Sequence, residues 1–282
     1  MRLRALTFPA LIALTLCGVA TASAATLERI KGTGTIRIGY RADAQPHSFV
    51  DASGYPTGYV VDICSEVTND IGRALGLAKI RAEYVRVTGE NRFTAVRDGQ
   101  VDLLCEASSM TMARRELVDF SLPTFVDGAG VLSRDATIVS FEDLEDKRVG
   151  VLAGTTTEKV LRSTLKALAV EADIRVVEDH RKGGAMVARG ELDAYVADRS
   201  ILAMMLAQHE EARGLKLSPR YFSYETYGLA MEKGDSAFRL QVDRTIARLA
   251  RTGRLEKMLA RAFGAEPDDT LRVLIALDAV PD

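Results

Sequence analysis

The residues of this chain best suited to bind a small anion lie within residues 98–121. A short apolar run at 101–105 leads into a polar loop of mostly small residues at 106–111, and Arg114 and Arg115 then open a predicted helix. Hydroxyl groups, the N-terminus of a helix and a guanidinium group all attract carboxylates. The stretch therefore predicts a carboxylate-binding site at the end of a strand.

Other polar groups that could share this site also follow predicted strands. Strands are predicted at residues 34–41, 79–87, 101–105, 147–152, 174–177, 192–197 and 227–231. Their ends carry Arg41, residues 105–109, residues 154–156, His180 and Asp198. Because ligands of open α/β sheets bind beyond the carboxyl ends of the strands, we expect these groups to line one cleft.

The elements around these groups alternate between strands and helices, which predicts an α/β fold. Asp62 is predicted to cap a helix whose apolar positions 63, 67, 71 and 75 recur at helical spacing. Residues 43–58, rich in Pro, Gly, Ser and Asp, are predicted to be a loop, and residues 124–133 an extended connector. The role of the tail at 266–282 stays open.

Two sequence motifs occur twice in the same order, which indicates an internal repeat. Residues 36–39 (IRIG) correspond to residues 147–150 (KRVG), and residues 95–103 (AVRDGQVDL) correspond to residues 186–194 (MVARGELDA). Two similar halves predict two lobes that face each other across a cleft, each with a mainly parallel sheet and flanking helices.

The predicted lobes are joined by two chain segments, because the last strand and helices return to the first lobe. Residues 25–125 and 228–282 are assigned to lobe 1, and residues 126–227 to lobe 2. The two connections between them, near residues 121–130 and 223–228, predict a hinge.

The start of the chain predicts export. A basic start at 1–4, a mostly apolar segment at 6–19 and an A-x-A sequence at 22–24 are typical of a secretory signal peptide, here residues 1–24. A membrane anchor is the alternative, but the apolar segment is short for a span. We therefore expect the mature protein in the periplasm. A net charge of −2 with mixed signs argues against nucleic acid as a partner.

Two cysteines remain once Cys17 is removed with the signal peptide. In an oxidising compartment Cys64 and Cys105 are expected to form a disulfide, the alternative being two buried free thiols. No nearby spacing of His and Cys predicts a metal site.

Several motifs, in this order, make the chain resemble the periplasmic solute-binding proteins of polar amino-acid ABC transporters, family 3 of the bacterial solute-binding proteins. They are residues 58–62 (GYVVD), 101–103 (VDL), 109–114 (SMTMAR), 119–121 (DFS), 154–156 (GTT) and 227–230 (YGLA). Within that family the chain is most similar to the glutamate/aspartate-binding branch. Residues 88–92 (TGENR), 105–109 (CEASS) and 179–180 (DH) carry this finer similarity. The resemblance implies the type II two-lobe periplasmic-binding-protein fold and capture of an amino acid by hinge closure.

The resemblance also implies a role for individual residues. Arg114 would hold the ligand α-carboxylate, together with Ser109, Thr111 and the amides at Thr155 and Thr156. Asp198 would accept the α-ammonium group. Arg41, Arg92 and His180 would face the ligand side chain, and the two arginines would suit a second carboxylate.

The chain departs from the branch pattern in the side-chain part of the site. Gly89 stands where the branch usually has Ser, and Glu106-Ala107 stands where it usually has a Gly-Ser pair. The specificity for the ligand side chain therefore stays open.

Other interpretations of these residues and of the protein also stay open. Arg114 could be a surface residue, Asp198 a helix cap, and Arg41, Arg92 and His180 could have no ligand. The partners implied by the resemblance are a small-molecule amino acid and a membrane permease, with no cofactor and a monomeric chain. The alternatives are a sensory module and a periplasmic dehydratase acting on prephenate or arogenate, in which Glu106 or His180 would be the general acid.

Overall fold

The structure, a computed structural model, describes residues 25–208 and 210–281. The predicted signal peptide at 1–24 lies outside the described residues. Within them, no helix is long and apolar enough to span a membrane.

Two five-stranded sheets and one small sheet organise the chain. The strands are β1 (Thr35–Tyr40), β2 (Asp43–Ala44), β3 (Ser48–Val50), β4 (Pro56–Thr57), β5 (Arg81–Arg86), β6 (Leu103–Leu104), β7 (Val118–Asp127), β8 (Ala129–Ser133), β9 (Arg148–Leu152), β10 (Asp173–Val177), β11 (Ala194–Asp198), β12 (Lys216–Leu217) and β13 (Glu225–Glu232). The helices are α1 (Ala25–Thr33), α2 (Tyr59–Ala74), α3 (Arg92–Arg97), α4 (Met112–Arg115), α5 (Thr156–Leu168), α6 (His180–Ala188), α7 (Arg199–Gln208), α8 (Ser236–Arg251), α9 (Arg254–Phe263) and α10 (Asp269–Asp278).

The two large sheets share one topology. Lobe 1 has the strand order β5-β1-β6-β13-β7, and lobe 2 has the order β10-β9-β11-β8-β12. In each, the first three strands are parallel and the last two are added antiparallel. The predicted two-lobe α/β fold is confirmed, and each sheet has two parallel and two antiparallel pairings.

The internal repeat corresponds to an arginine–aspartate ion pair that occurs in both sheets, near the amino ends of the parallel strands. Arg37 at the start of β1 binds Asp102 through its backbone N–H (2.7 Å) and its Nη2 (2.6 Å). Arg148 at the start of β9 binds Asp193 in the same way, at 2.8 and 2.7 Å. Asp102 thereby links β1 to the start of β6, and Asp193 links β9 to the start of β11. In both cases one carboxylate accepts hydrogen bonds from the side chain and the backbone of the same arginine.

Apolar side chains bury both faces of both sheets. Along β6, Leu103 packs into the core on one face of lobe 1 and Leu104 into the core on the other. Along β11, Tyr195 and Val196 are divided between the two cores of lobe 2 in the same way. This alternation follows from the two-residue period of a strand, and helices cover each face.

The segment predicted to be an extended connector, residues 124–133, instead forms the end of β7 and all of β8. β7 pairs with β13 from Glu225↔Asp127 to Glu232↔Val118, with an irregular register where Pro123 faces Gly228. Proline cannot donate to a ladder and is tolerated where pairing is irregular, which hid this strand in the sequence. The pair runs past both predicted lobe boundaries, 125/126 and 227/228, which remain a proposal.

Two further local predictions were wrong. Residues 43–58 are not a plain loop, because β2, β3 and β4 form a small antiparallel sheet of strands too short to show a periodic pattern. Asp62 does not cap α2, which begins at Tyr59 with Gly58 as its N-cap residue. Tyr59 and Val60 are buried in the first turn. Asp62 lies in the same turn, where the positive end of the helix dipole stabilises a carboxylate.

The disulfide and the tail both belong to lobe 1. Cys64 on α2 is bonded to Cys105 after β6, and both residues are buried. This confirms the predicted pairing. The tail forms α10, whose Ile275 packs into the main core of lobe 1.

Candidate functional site

A small polar cavity lies between the carboxyl ends of the strands of the two lobes. It encloses about 10 Å³, which is roughly the space that one water molecule needs. The lining residues are Arg41, Ala44, Arg92, Glu106, Ala107, Ser109, Thr155, Thr156, His180, Asp198 and Ile201. A groove of about 570 Å³ adjoins the cavity and shares Arg41, His180 and Ile201 with it.

Arg41 follows β1 and is held by a carboxylate of its own lobe. Its Nε and Nη2 donate to the two carboxylate oxygens of Asp43, both at 2.7 Å. Only 5% of the Arg41 side chain is exposed. Although burial opposes ionisation of Asp43, the Arg41 guanidinium and His180 lower the pKa of this carboxyl overall. Sequence reasoning placed Asp43 in a loop and missed this partner.

Arg92, the first residue of α3, is almost fully buried beside a second carboxylate. Its Nη1 donates to the Gly89 carbonyl at 2.6 Å, and its Nε lies 3.4 Å from Glu106 Oε1. That Nε has no hydrogen-bond partner, while Glu106 also accepts from Ser108 Oγ. Burial lowers the pKa of Arg92 to about 10, so the guanidinium stays charged at neutral pH.

Arg114 lies at the edge of the cavity, on the short helix α4. Thr111 is the N-cap residue of this helix and accepts from the Arg114 backbone N–H at 3.2 Å. The guanidinium packs over the Phe93 ring at 4.7 Å, and Nη1 donates to the Ser109 carbonyl at 2.7 Å. These contacts fix the orientation of Arg114 beside Ser109.

Lobe 2 offers a helix N-terminus and a carboxylate to the same cavity. Thr155 caps α5 and accepts from the Glu158 backbone N–H. Thr156 Oγ1 lies 3.1 Å from Ser109 Oγ of lobe 1. Asp198, at the end of β11, accepts from Thr157 Oγ1 at 2.9 Å, and burial together with the nearby Glu225 raises its pKa.

His180 is a neutral group of the cavity at physiological pH. It is the first residue of α6, and its Nδ1 lies 2.8 Å from the Tyr195 hydroxyl. Burial lowers the pKa of His180 to about 4, against a weaker opposite effect of Asp43. Its backbone N–H donates to Asp43 across the cleft at 3.2 Å.

The lobes are in direct contact around this cavity. Arg92 Nη2 and Arg114 Nη2 approach the Gly154 carbonyl of lobe 2 at 3.3 and 3.4 Å. A Cβ atom added at Gly89 would lie 2.8 Å from the Ala153 carbonyl oxygen, and one at Gly154 would lie 2.8 Å from the Gly89 carbonyl oxygen. Glycine at both positions therefore allows the two backbones to meet.

The structure brings most of the predicted site residues together. Seven line the cavity: Arg41, Arg92, Ser109, Thr155, Thr156, His180 and Asp198. Arg114 stands at its edge, and Thr111 lies outside it, where it lines a separate groove at the hinge. Ala44 and Ile201 were missed, because single apolar residues carry no signal that separates a ligand contact from core. In the described part of the chain, no cluster of side chains could hold a metal ion.

Comparisons with known proteins relate this arrangement to one family. Residues 36–265 match the model of the bacterial extracellular solute-binding proteins, family 3. The chain is 31% identical to an L-glutamate/L-aspartate-binding protein of Pseudomonas aeruginosa, over 84% of this chain and 80% of that protein. It is also 31% identical to a glutamate/glutamine/aspartate/asparagine-binding protein of Rhodobacter capsulatus, over 80% of this chain and 66% of that protein. Among solved structures, it is similar to an ancestral amino acid-binding protein described as a precursor of cyclohexadienyl dehydratase. The TM-score is 0.75 at 28% identity, and the match covers 84% of this chain and 99% of the other.

Proposed function

Because this chain belongs to family 3 of the bacterial extracellular solute-binding proteins, we propose that it captures a polar α-amino acid between its two lobes. The relatives named above bind glutamate, aspartate and their amides. We propose that it acts in the periplasm as a monomer and passes the amino acid to the membrane permease of an ABC transporter.

The observation that carries this proposal is a pair of opposite charges on the two sides of one cavity. Arg114 stands beside Ser109 and the N-terminus of α5, which suits an α-carboxylate. Asp198 stands on lobe 2, and an α-ammonium group would stabilise its charged form, which burial disfavours. A buried zwitterion is costly unless both of its charges are paired, and this arrangement pairs both.

Binding requires the lobes to separate and close again. The cavity of about 10 Å³ is smaller than any amino acid. We propose that the lobes, 25–125 with 228–282 and 126–227, move about the strand pair β7 and β13. The ligand α-carboxylate would replace the Gly154 carbonyl as the partner of Arg114. The ligand shifts this equilibrium only by its higher affinity for the closed form.

We propose capture without catalysis. The candidate general acids are both occupied, since Glu106 contacts Arg92 and Ser108 and His180 contacts Tyr195. Because one similar structure is a precursor of cyclohexadienyl dehydratase, the enzyme activity has a direct test. The protein should leave the ultraviolet spectrum of prephenate unchanged, and phenylpyruvate formation would contradict the proposal.

A thermal-shift screen of the twenty amino acids and simple dicarboxylates tests the binding function. The protein should first be partially unfolded and dialysed to remove any ligand carried through purification. At least one polar amino acid should raise the melting temperature progressively with its concentration, because it binds the folded state alone. If no amino acid gives a shift and calorimetry gives no heat, amino-acid capture is wrong.

A further inference from the structure

We infer that the captured amino acid has an uncharged carboxamide side chain, as glutamine and asparagine do, rather than an acidic one. This inference rests on the proposed function and names the ligand class of that site. It follows from the two carboxylates, Asp43 and Glu106, that lobe 1 places against its own cavity-lining arginines.

The first of these arginines has its best donors occupied. Arg41 gives two parallel hydrogen bonds of 2.7 Å to the two oxygens of Asp43. This is the geometry in which a guanidinium group would otherwise hold a ligand carboxylate. Asp43 is also fixed from the opposite lobe by the His180 backbone N–H. An acidic ligand could use this paired donor edge of Arg41 only by displacing a carboxylate that both lobes hold in place.

The second arginine leaves one donor open, but beside a negative charge. Glu106 is 1% exposed and lies 3.4 Å from Arg92 Nε, which has no hydrogen-bond partner. Both residues line the cavity. A carboxamide matches this pair, because its oxygen can accept from Arg92 Nε and its NH₂ group can donate to Glu106. A carboxylate could accept from Arg92 but would face Glu106 with like charge.

The charges of the site support the same conclusion. Arg41 is paired with Asp43 and Arg92 with Glu106, while Arg114 and Asp198 lie on opposite sides of the cleft, each close enough to Glu225 to feel its charge. A zwitterion with a neutral side chain adds one charge of each sign and leaves this balance intact. An acidic side chain adds a negative charge that no unpaired cation of the described cavity lining meets, since burial keeps His180 neutral with its pKa at about 4. Buried charges without a partner are strongly disfavoured.

Calorimetric titration of the ligand-free protein with L-glutamine, L-asparagine, L-glutamate and L-aspartate tests the inference. The amide of at least one pair should bind about tenfold or more tightly than its acid, since like-charge contact at a buried site costs several kcal/mol. If in both pairs the acid binds as tightly as its amide, the inference is overturned, while amino-acid capture stands. Binding by none of the twenty amino acids would instead overturn the proposed function.

The variant Glu106→Gln tests the residue responsible. Glutamine keeps an acceptor for the ligand NH₂ group and removes the negative charge. The affinity for the acid should therefore rise about tenfold or more, while that for the amide changes little. Glu83→Gln is the matched control, since it removes the same charge from an exposed residue of β5 and should leave both affinities unchanged. An unchanged amide-to-acid ratio in a folded Glu106→Gln protein would overturn the role of Glu106.

Discussion

The two lobes share one scaffold and differ in the groups that they bring to the cleft. The sheets have the same order of parallel strands, and Arg37–Asp102 in lobe 1 corresponds to Arg148–Asp193 in lobe 2. At the other ends of the same strands, lobe 1 presents Arg41 and Arg92, which are paired with carboxylates, and Arg114, which is not. Lobe 2 presents a helix N-terminus, hydroxyl groups, a neutral His180 and the half-buried Asp198.

The difference shows that the two ends of these strands meet different requirements. At the amino ends, side chains must hold neighbouring parallel strands together. One arginine–aspartate pair does this in each lobe, between β1 and β6 in lobe 1 and between β9 and β11 in lobe 2. At the carboxyl ends, the groups face a ligand, and the two ends of a zwitterion need opposite charges. Lobe 1 therefore supplies the cation for the carboxylate, and lobe 2 the anion for the ammonium group.

The largest expected effect comes from the Arg114→Ala variant, which removes that cation from lobe 1. Loss of one partner of a buried charge pair costs about 2–5 kcal/mol, so the affinity should fall roughly 30- to 5,000-fold. Calorimetry with the ligand found by screening measures this loss.

The matched control is the neighbouring Arg115→Ala variant. Arg115 is exposed and packs over the Phe120 ring at 5.8 Å. Its removal should change the affinity by about twofold at most. Equal losses in the two variants would remove the basis for assigning the carboxylate to lobe 1.

The disulfide is a second difference between the lobes. It joins positions separated by 41 residues within lobe 1, whereas lobe 2 contains no cysteine. In the chain-entropy model a loop of this length contributes up to about 4 kcal/mol to the free energy of unfolding. Urea unfolding with and without a thiol reductant should show a lower midpoint for the reduced protein. An unchanged midpoint, with free thiols verified, would show that lobe 1 does not depend on the bond.

The repeated ion pair permits a direct comparison of the two scaffolds. Asp102 is 4% exposed and also contacts Arg29, whereas Asp193 is 27% exposed. A hydrogen bond from Arg148 lowers the pKa of Asp193 to about 2, but solvent screening reduces the stabilisation that follows from this shift. Asp102→Asn should therefore lower the free energy of unfolding by about 3 kcal/mol, and Asp193→Asn by about 1 kcal/mol. Equal losses in urea unfolding would contradict the difference in burial.

The sequence predicts the scaffold better than the site, for a physical reason. Apolar runs and turn residues act locally and the two repeated sequence motifs mark equivalent strands, so they indicate most of the strands and helices and the two-lobe fold. The partners of Arg41 and Arg92 depend on how loops fold back. Asp43 lies two positions from Arg41, yet its geometry is set by the small sheet that the sequence did not reveal.

The contact between Gly89 and Gly154 was equally hidden. These residues meet only when the two lobes are placed together, and neither strand pattern nor turn chemistry predicts that. The same holds for Pro123 in β7, since the irregular pairing that tolerates proline depends on the partner strand.

The smallest expected effect is a pH dependence of the free energy of unfolding, to which one histidine of each lobe should contribute. Burial lowers the pKa of His47 in lobe 1 to about 3 and that of His180 in lobe 2 to about 4, from an ordinary value near 6.5. Between pH 6.5 and 5 the unfolded chain binds these protons and the folded protein does not, so stability falls as the pH falls. Each histidine should contribute about 1–2 kcal/mol to this loss.

Urea unfolding at pH 7 and pH 5 measures the shared dependence. His47→Gln and His180→Gln should each reduce the loss on acidification by about 1–2 kcal/mol relative to the unchanged protein, because each removes one group that is neutral only when folded. Comparing losses within each variant cancels the cost of replacing the side chain itself. His47 lies among aromatic rings and His180 beside Asp43. If only His47→Gln reduces the loss, Asp43 keeps His180 protonated in the fold, and lobe 2 then presents a cation to the ligand.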